Sequence, residues 1–258
     1  MLRGLYTAWT GMANEQKRLD VVSNNMANSN TVGYKGEKVA SQAFDQVLGI
    51  KIRDGSQAYH NERIGTLSLG VKIGETYTDY AQGSVRQTGG TYDMALSGSG
   101  FFTVHVTDKS GEVHTRYTRD GRFMLTKEGL LVDADGNAVQ GENGDIVINP
   151  SAKSVTVSGT GVITVDGEVK DTLKIVDFQD YDYLKKYGDT MYEPVDGAAE
   201  KDASAEIIQG YTEQSNVNVV REMVDMITIT RAYEANQKVI RSYDSMLDRS
   251  VNQVGRLG

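Results

Sequence analysis

The chain's imidazoles are His60, His105 and His114, and it has no cysteine. No two of these histidines have the spacing of a metal-binding pair, and a thiolate zinc site, a disulfide scaffold and a cysteine nucleophile are impossible. A Ser-His catalytic pair would have to use one of these three, and no G-x-S-x-G elbow is present. Gly98-Ser-Gly100 opens like a dinucleotide loop, but position 103 is threonine and strand-like segments flank it, so it reads as a turn. Asp133, Asp135 and Asn137 imitate the start of a calcium loop. The glycine needed at its sixth position is Ala138 and the bidentate glutamate at its twelfth is Gly144, so a polar hairpin is expected instead. Glu222 and Asp225 fall near a helix start, where the dipole favours negative charge. Lys185 and Lys186 are too few for a basic patch, and a net charge of −8 argues against nucleic acid as a partner. No catalytic, cofactor-binding or metal-ligating set emerges, and no small-molecule substrate is implied.

The arrangement of the 258 residues is more telling than any candidate reactive group. Of 28 glycines, 18 lie between Gly65 and Gly188, whereas residues 216–254 hold no Gly or Pro and residues 1–32 hold only Gly4 and Gly11. Residues 1–35 carry +2, residues 216–258 carry +1, and the stretch between holds −11. No apolar run approaches the ~18–20 residues that span a bilayer, so membrane insertion is not expected. The first twenty residues lack an unbroken apolar stretch, so no cleaved secretory signal is expected either.

At the N-terminus, Leu5, Met12, Leu19 and Met26 recur every seven residues and Trp9 adds a 3/4 step, the mark of an amphipathic helix with a coiled-coil-like seam. The helix should stop near Asn28–Asn30, with Gly33 free to take a positive φ beyond it. At the C-terminus, Met226, Tyr233, Ile240, Leu247 and Val254 repeat the spacing, beside a second row of Ile229, Ala232, Val239, Tyr243 and Met246. A helix over 218–254, with Asn218 as N-cap, would be about 55 Å long and more widely apolar than one partner helix can cover. The middle reads as short strands. They include 101–107 and 173–178, a segment 117–126 turning at Asp120-Gly121, and hairpins turning at Asp135-Gly136 and Asp166-Gly167. The expected fold is α+β: long terminal helices in a coiled-coil-like layer, with an inserted all-β antiparallel domain. Residues 1–35 and 215–258 form the helical layer, 36–64 an irregular connector, and 65–214 the β-rich outer domain.

Four segments carry a resemblance. NNMANSNTVGYK (24–35) is similar to the signature of flagellar basal-body rod and hook proteins, through Asn24, Asn25, Ala27, Asn28, Thr31, Gly33, Tyr34 and Lys35. The stretch 82–104, with Gly98, Gly100, Phe101 and Phe102, and YTRDGRF (117–123) resemble the β domain of that family. The stretch 214–240, opening with Ser215, Asn216, Val217 and Asn218, resembles its terminal helical segment.

The resemblance implies a structural subunit rather than an enzyme, one that polymerises into the axial rod of the flagellar basal body, encloses a channel and transmits torque. It implies copies of itself, other rod and hook proteins and the flagellar type III export apparatus as partners, an extracytoplasmic location, and no cofactor. Assembly is expected to use Leu5, Trp9, Met12, Leu19, Met26, Met223, Met226, Ile227, Tyr233, Ile240, Leu247 and Val254. The competing classes are an enzyme acting on cell-wall glycan and a monomeric binding or adhesion module.

Overall fold

A computed structural model describes residues 2–51, 62–108 and 111–254. His60 lies outside them. The chain divides into two compact units, one of residues 1–26, 37–78 and 219–258, the other of residues 27–36 and 79–218.

The first unit holds both helices. Helix α1 (Leu2–Ala27) ends where the asparagine-rich turn begins. Helix α2 (Val219–Arg249) starts directly after Asn218 and closes in a π-helical turn, Ser250–Val254. The two helices meet in antiparallel order. A Cβ on Gly4 would fall on the Tyr243 ring, one on Gly11 would lie 3.0 Å from Asn236 Nδ2, and Asn25 Nδ2 donates to Glu222 Oε2 at 3.4 Å. Each step forward along α1 is thus matched by an equal step back along α2, and the two early glycines leave room for the larger side chains opposite. A second flank of α1 meets the strands that follow: Ser41 Oγ donates to Asn14 Oδ1 at 2.9 Å, and Asn25 clips the Glu37 backbone through both its N–H and C=O, at 2.9 and 2.8 Å.

The described part of 36–64, a stretch expected to be an irregular connector, carries regular pairing instead. Strand β1 (Glu37–Ala43) and strand β2 (Val47–Lys51) fall within it, followed by β3 (Glu62–Leu67) and β4 (Val71–Thr78). β1 pairs with β4 and β2 with β3, both antiparallel and each with a register break. The strand periodicity was hidden because β1 and β4 are largely solvent-exposed, so their polar residues do not alternate with apolar ones. The body likewise begins later than position 65, since β4 belongs with the helices.

The second unit is the inserted β structure. Its main sheet runs, in order, through 184–187, 191–194, 113–118, 101–107, 138–141, 131–132 and 124–125, with 175–178 also hydrogen-bonded to 101–107. The strand 101–107 separates two cores. Phe102 and Val104 point into one with Leu96, Phe123, Leu131 and Ile163, while Phe101 points into the other with Tyr117, Phe178 and Tyr192. The two-residue alternation of a strand produces this division. A three-stranded sheet (155–157, 162–165, 168–172) turns at Asp166 (φ 52°) and Gly167 (φ 93°), as the Asp-Gly pair predicts.

One expected turn is absent. Residues 119–121 carry no turn or bend, and 124–125 pairs with 131–132 rather than folding back on 113–118. Asp120 Oδ1 accepts the Arg122 N–H at 3.0 Å, and Met94 N–H donates to the Gly121 carbonyl at 2.9 Å, steering the segment away from the strand it leaves. The Asp133 loop is the expected polar hairpin: its carboxylate accepts from the N–H groups of Asp135 and Asn137 and from Asn137 Nδ2, at 2.8–3.0 Å.

Candidate functional site

Two features stand out, one in each unit. The first is an apolar helical surface left uncovered. Leu5, Met12, Leu19 and Met26 on α1 and Met226, Tyr233, Ile240 and Leu247 on α2 are half-buried. Trp9 is 55 % exposed, Met223 49 % and Ile227 54 %, so these three candidates face solvent while the seven-residue rows do not. The side chain of Val254 lies outside the described residues. Val220 and Val224 join the exposed set at 72 % and 58 %. On α2, fully buried Ile229 lies one helical heptad from Glu222 and Asn236, on the side that meets α1. Val220, Val224 and Ile227 fall roughly half a turn away, on the opposite side.

The second feature is a buried ionic junction in the β-rich unit. The turn after α1 is closed by Thr31, whose N–H and Oγ1 donate to the carbonyl and side-chain oxygens of Asn28 at 3.1 Å each. Gly33 then adopts φ 70°, and its N–H donates to the Glu213 carbonyl at 2.8 Å. A Cβ there would fall on the backbone of Arg119 and Asp120, so both the conformation and the space demand glycine. Tyr34 and Lys35 follow, 0 % and 1 % exposed. Lys35 Nζ donates to Glu213 Oε1 at 2.6 Å and to the Ala81 carbonyl at 2.9 Å. Arg119 Nη1 donates to Glu213 Oε2 at 3.2 Å, and its Nη2 to the Gly98 carbonyl at 2.9 Å. The Gly83 N–H completes the set on Glu213 Oε1 at 2.9 Å. Asn216 accepts the Gly36 N–H at 2.9 Å and donates to the Asp79 and Ala81 carbonyls at 2.7 and 3.1 Å.

The motif residues thus divide by task. Gly33, Lys35, Gly98 and Asn216 converge on the junction, while Tyr34 is buried with Lys186 Nζ 4.1 Å from its ring centre. Asn25, Asn28 and Thr31 shape the end of α1. Ser215 Oγ accepts the Val217 N–H at 3.2 Å just ahead of α2. Phe101 and Phe102 belong to the two cores, and Gly100 (φ 143°) makes the turn before them. Asn24, Ala27 and Asn218 are exposed. Glu213 and Arg119, the centre of the junction, are absent from the residues singled out in the sequence. Arg119 sits inside the segment 117–123 and Glu213 just ahead of 214–240, each as one charge with nothing local to mark it.

Burial pulls the Lys35 ammonium below its ordinary range, and nearby Arg119 acts the same way, while the Glu213 carboxylate opposes both. In the helical unit, burial raises the Glu222 carboxyl above its ordinary value, against the hydrogen bond from Asn25. The folded state therefore binds that proton more tightly than the unfolded chain. Glu222 favours folding most at acid pH, and this contribution is lost as pH rises from the ordinary glutamate value through the raised one. Glu222→Gln should remove that slope and make the helical unit more stable at neutral pH. Helix melting followed by circular dichroism from pH 4 to pH 8 checks this, and an unchanged slope would count against it.

Neither feature presents a reactive constellation: the junction's charges pair with one another, and the helical surface is apolar. Family models match in chain order. The flagella basal body rod protein model covers residues 5–35, the flagellar hook protein FlgE/F/G D1 domain 95–165, and the flagellar basal body rod FlgEFG protein C-terminal model 208–254. The flagellar basal-body rod protein FlgG of Bacillus subtilis is 32 % identical, with 98 % of this chain and 99 % of that protein covered. FlgG of Caulobacter vibrioides is 35 % identical over 95 % and 97 %, and FlgF of the same organism 34 % over 100 % and 99 %. The three matched segments hold most of α1, part of the β-rich unit and the whole of α2. Full-length similarity in that order makes this chain a member of the flagellar basal-body rod protein family, a structural subunit of the rod.

Proposed function

We propose that copies of this chain polymerise head to tail into the axial rod, with α1 and α2 forming a coiled-coil-like inner layer around a central channel and the β-rich unit forming an outer layer. In this reading the rod transmits torque, its ends meet other rod and hook proteins, and the subunit performs no catalysis. The chain reaches the rod through the flagellar type III export apparatus without loss of a signal peptide. No helix among the described residues is long and apolar enough to cross a membrane.

The observation that carries this reading is the apolar surface of the terminal helices: Trp9, Val220, Met223, Val224, Ile227 and Met246 are each about half exposed or more. Burying a large apolar side chain contributes roughly 1.5–3 kcal/mol, so a few of these together favour association strongly. A head-to-tail contact that does not close extends into a filament. Carrying Val224→Asp and Ile227→Asp together should leave a folded monomer, judged by circular dichroism, that builds no rods and restores no swimming to a strain lacking the gene. Rods and normal swimming from that double variant would refute the reading.

A further inference from the structure

Among the exposed apolar residues of the helical unit, two groups differ in chemistry. One is aromatic and lies near the start of α1. Tyr6 and Trp9 are 45 % and 55 % exposed, their rings 5.9 Å apart, and Phe44 stands 6.3 Å from Tyr6. The other is the aliphatic strip on the first turns of α2, Val220, Val224 and Ile227, bordered by Met223. The antiparallel contacts Gly4–Tyr243, Gly11–Asn236 and Asn25–Glu222 fix how far apart these patches lie along the helix pair. Trp9 is level with Lys238, and the strip is level with the last turns of α1. The axial offset is roughly 16 residues, or about 24 Å.

They also face different ways. Residues 4, 11 and 25 mark the side of α1 that meets α2, and at 3.6 residues per turn Tyr6 and Trp9 fall nearly opposite it. The strip on α2 likewise faces away from α1. The two patches therefore sit on opposite outward faces of one helix pair, displaced along it. A single chain cannot bring them together. A two-fold dimer would pair each patch with itself, leaving the other patch of both copies uncovered.

Resting on the assembly reading above, we propose that the Tyr6–Trp9 pair of one copy seats on the Val220–Val224–Ile227 strip of the next copy. Rigid aromatic side chains are effective anchors at interfaces, and the neighbouring Met223 is an adaptable surface for them to pack against. The contact is heterologous: each copy offers its aromatic patch in one direction and its strip in the other, with an axial step. It repeats without closing, as a rod requires. A second copy of this chain is the occupant because the chain carries both halves of the contact, offset and on opposite faces.

The absence of cysteine gives a clean test. In the full chain, Trp9→Cys and Val224→Cys are made singly and together, and disulfides are formed in assembled rods. The double variant should give a ladder of cross-linked dimers, trimers and higher multimers. An equal mixture of the single variants should give dimers, and either single variant alone should remain largely monomeric. Dimers from one single variant alone would point to a two-fold contact and overturn the proposal, as would cross-links only to a different protein. Swimming separates the two readings. Rods and motility without the cross-links overturn this pairing and leave rod assembly standing, whereas an unsubstituted chain that builds no rods removes the assembly reading as well. A charge swap gives a second readout, independent of cysteine packing. Trp9→Glu and Val224→Lys should each abolish assembly, and their combination in one chain should restore it. Failure of the combination to restore it, with the monomer folded, overturns the proposal.

Discussion

Glu213→Gln should lower the stability of the β-rich unit by about 3–5 kcal/mol, the usual range when one member of a buried charge pair is removed. The substitution keeps shape and hydrogen-bonding reach but deletes the negative charge that Lys35 and Arg119 share, at 2.6 and 3.2 Å. All three side chains are 5 % exposed or less, so water cannot replace the lost carboxylate. Two cations are then left buried beside a neutral amide. Adding Lys35→Met should recover part of the loss, because it removes one of them, and the non-additivity of the pair measures their coupling. Chemical unfolding followed by near-ultraviolet circular dichroism reports on this unit, where most of the tyrosines reside. A loss below ~1 kcal/mol would mean that the junction is a surface-like pair rather than a buried one.

Gly33→Ala should cost about 2–5 kcal/mol. Holding a non-glycine residue at φ 70° contributes roughly 1–2 kcal/mol, and forcing a methyl into a filled space typically 1–3 kcal/mol. The obstruction is the Arg119–Asp120 backbone, which cannot swing aside as a flexible side chain would. The two causes can be separated. Asparagine tolerates a left-handed conformation but carries the same Cβ, so Gly33→Asn should be nearly as damaging as alanine. Recovery of most of the stability with asparagine would show that the dihedral, not the crowding, is the constraint.

These two positions also mark where the sequence was legible. Gly33 announced itself, because an asparagine-rich helix stop followed by glycine has one local reading. The strand 101–107 was visible for a similar reason, its alternation being satisfied by a core on each side. The hairpin at Asp166-Gly167 needed only its two turn residues. Glu213 and Arg119 were invisible because their pairing is entirely non-local: Glu213 lies 178 residues from Lys35 and 94 from Arg119. One buried charge looks like any other among 62 charged residues, 27 basic and 35 acidic. β1 escaped because a strand with little burial has no apolar face to display. The segment at Asp120-Gly121 misled because its residues bond elsewhere, the Asp120 carboxylate to Arg122 and the Gly121 carbonyl to Met94, and the chain runs on without a turn.

The two segments of the β-rich unit that adjoin the helices, 27–36 and 213–218, meet at one place. Gly33 is bonded to Glu213, Lys35 to Glu213, and Gly36 to Asn216, so the first and last residues of the unit are laced together. Residues 37–78 belong to the helical unit. The chain returns at Asp79, whose N–H donates to the Gly36 carbonyl at 2.8 Å, so the stretch from 79 to 212 is a loop with a closed neck. Whatever lies beyond the neck can lengthen, shrink or be exchanged without changing the distance between the two strands of chain that pass through it. A protein engineer could treat the unit as a bead on a string, replaceable by another of different size, provided the incoming lysine and outgoing glutamate still meet a cation like Arg119 to fasten the clasp.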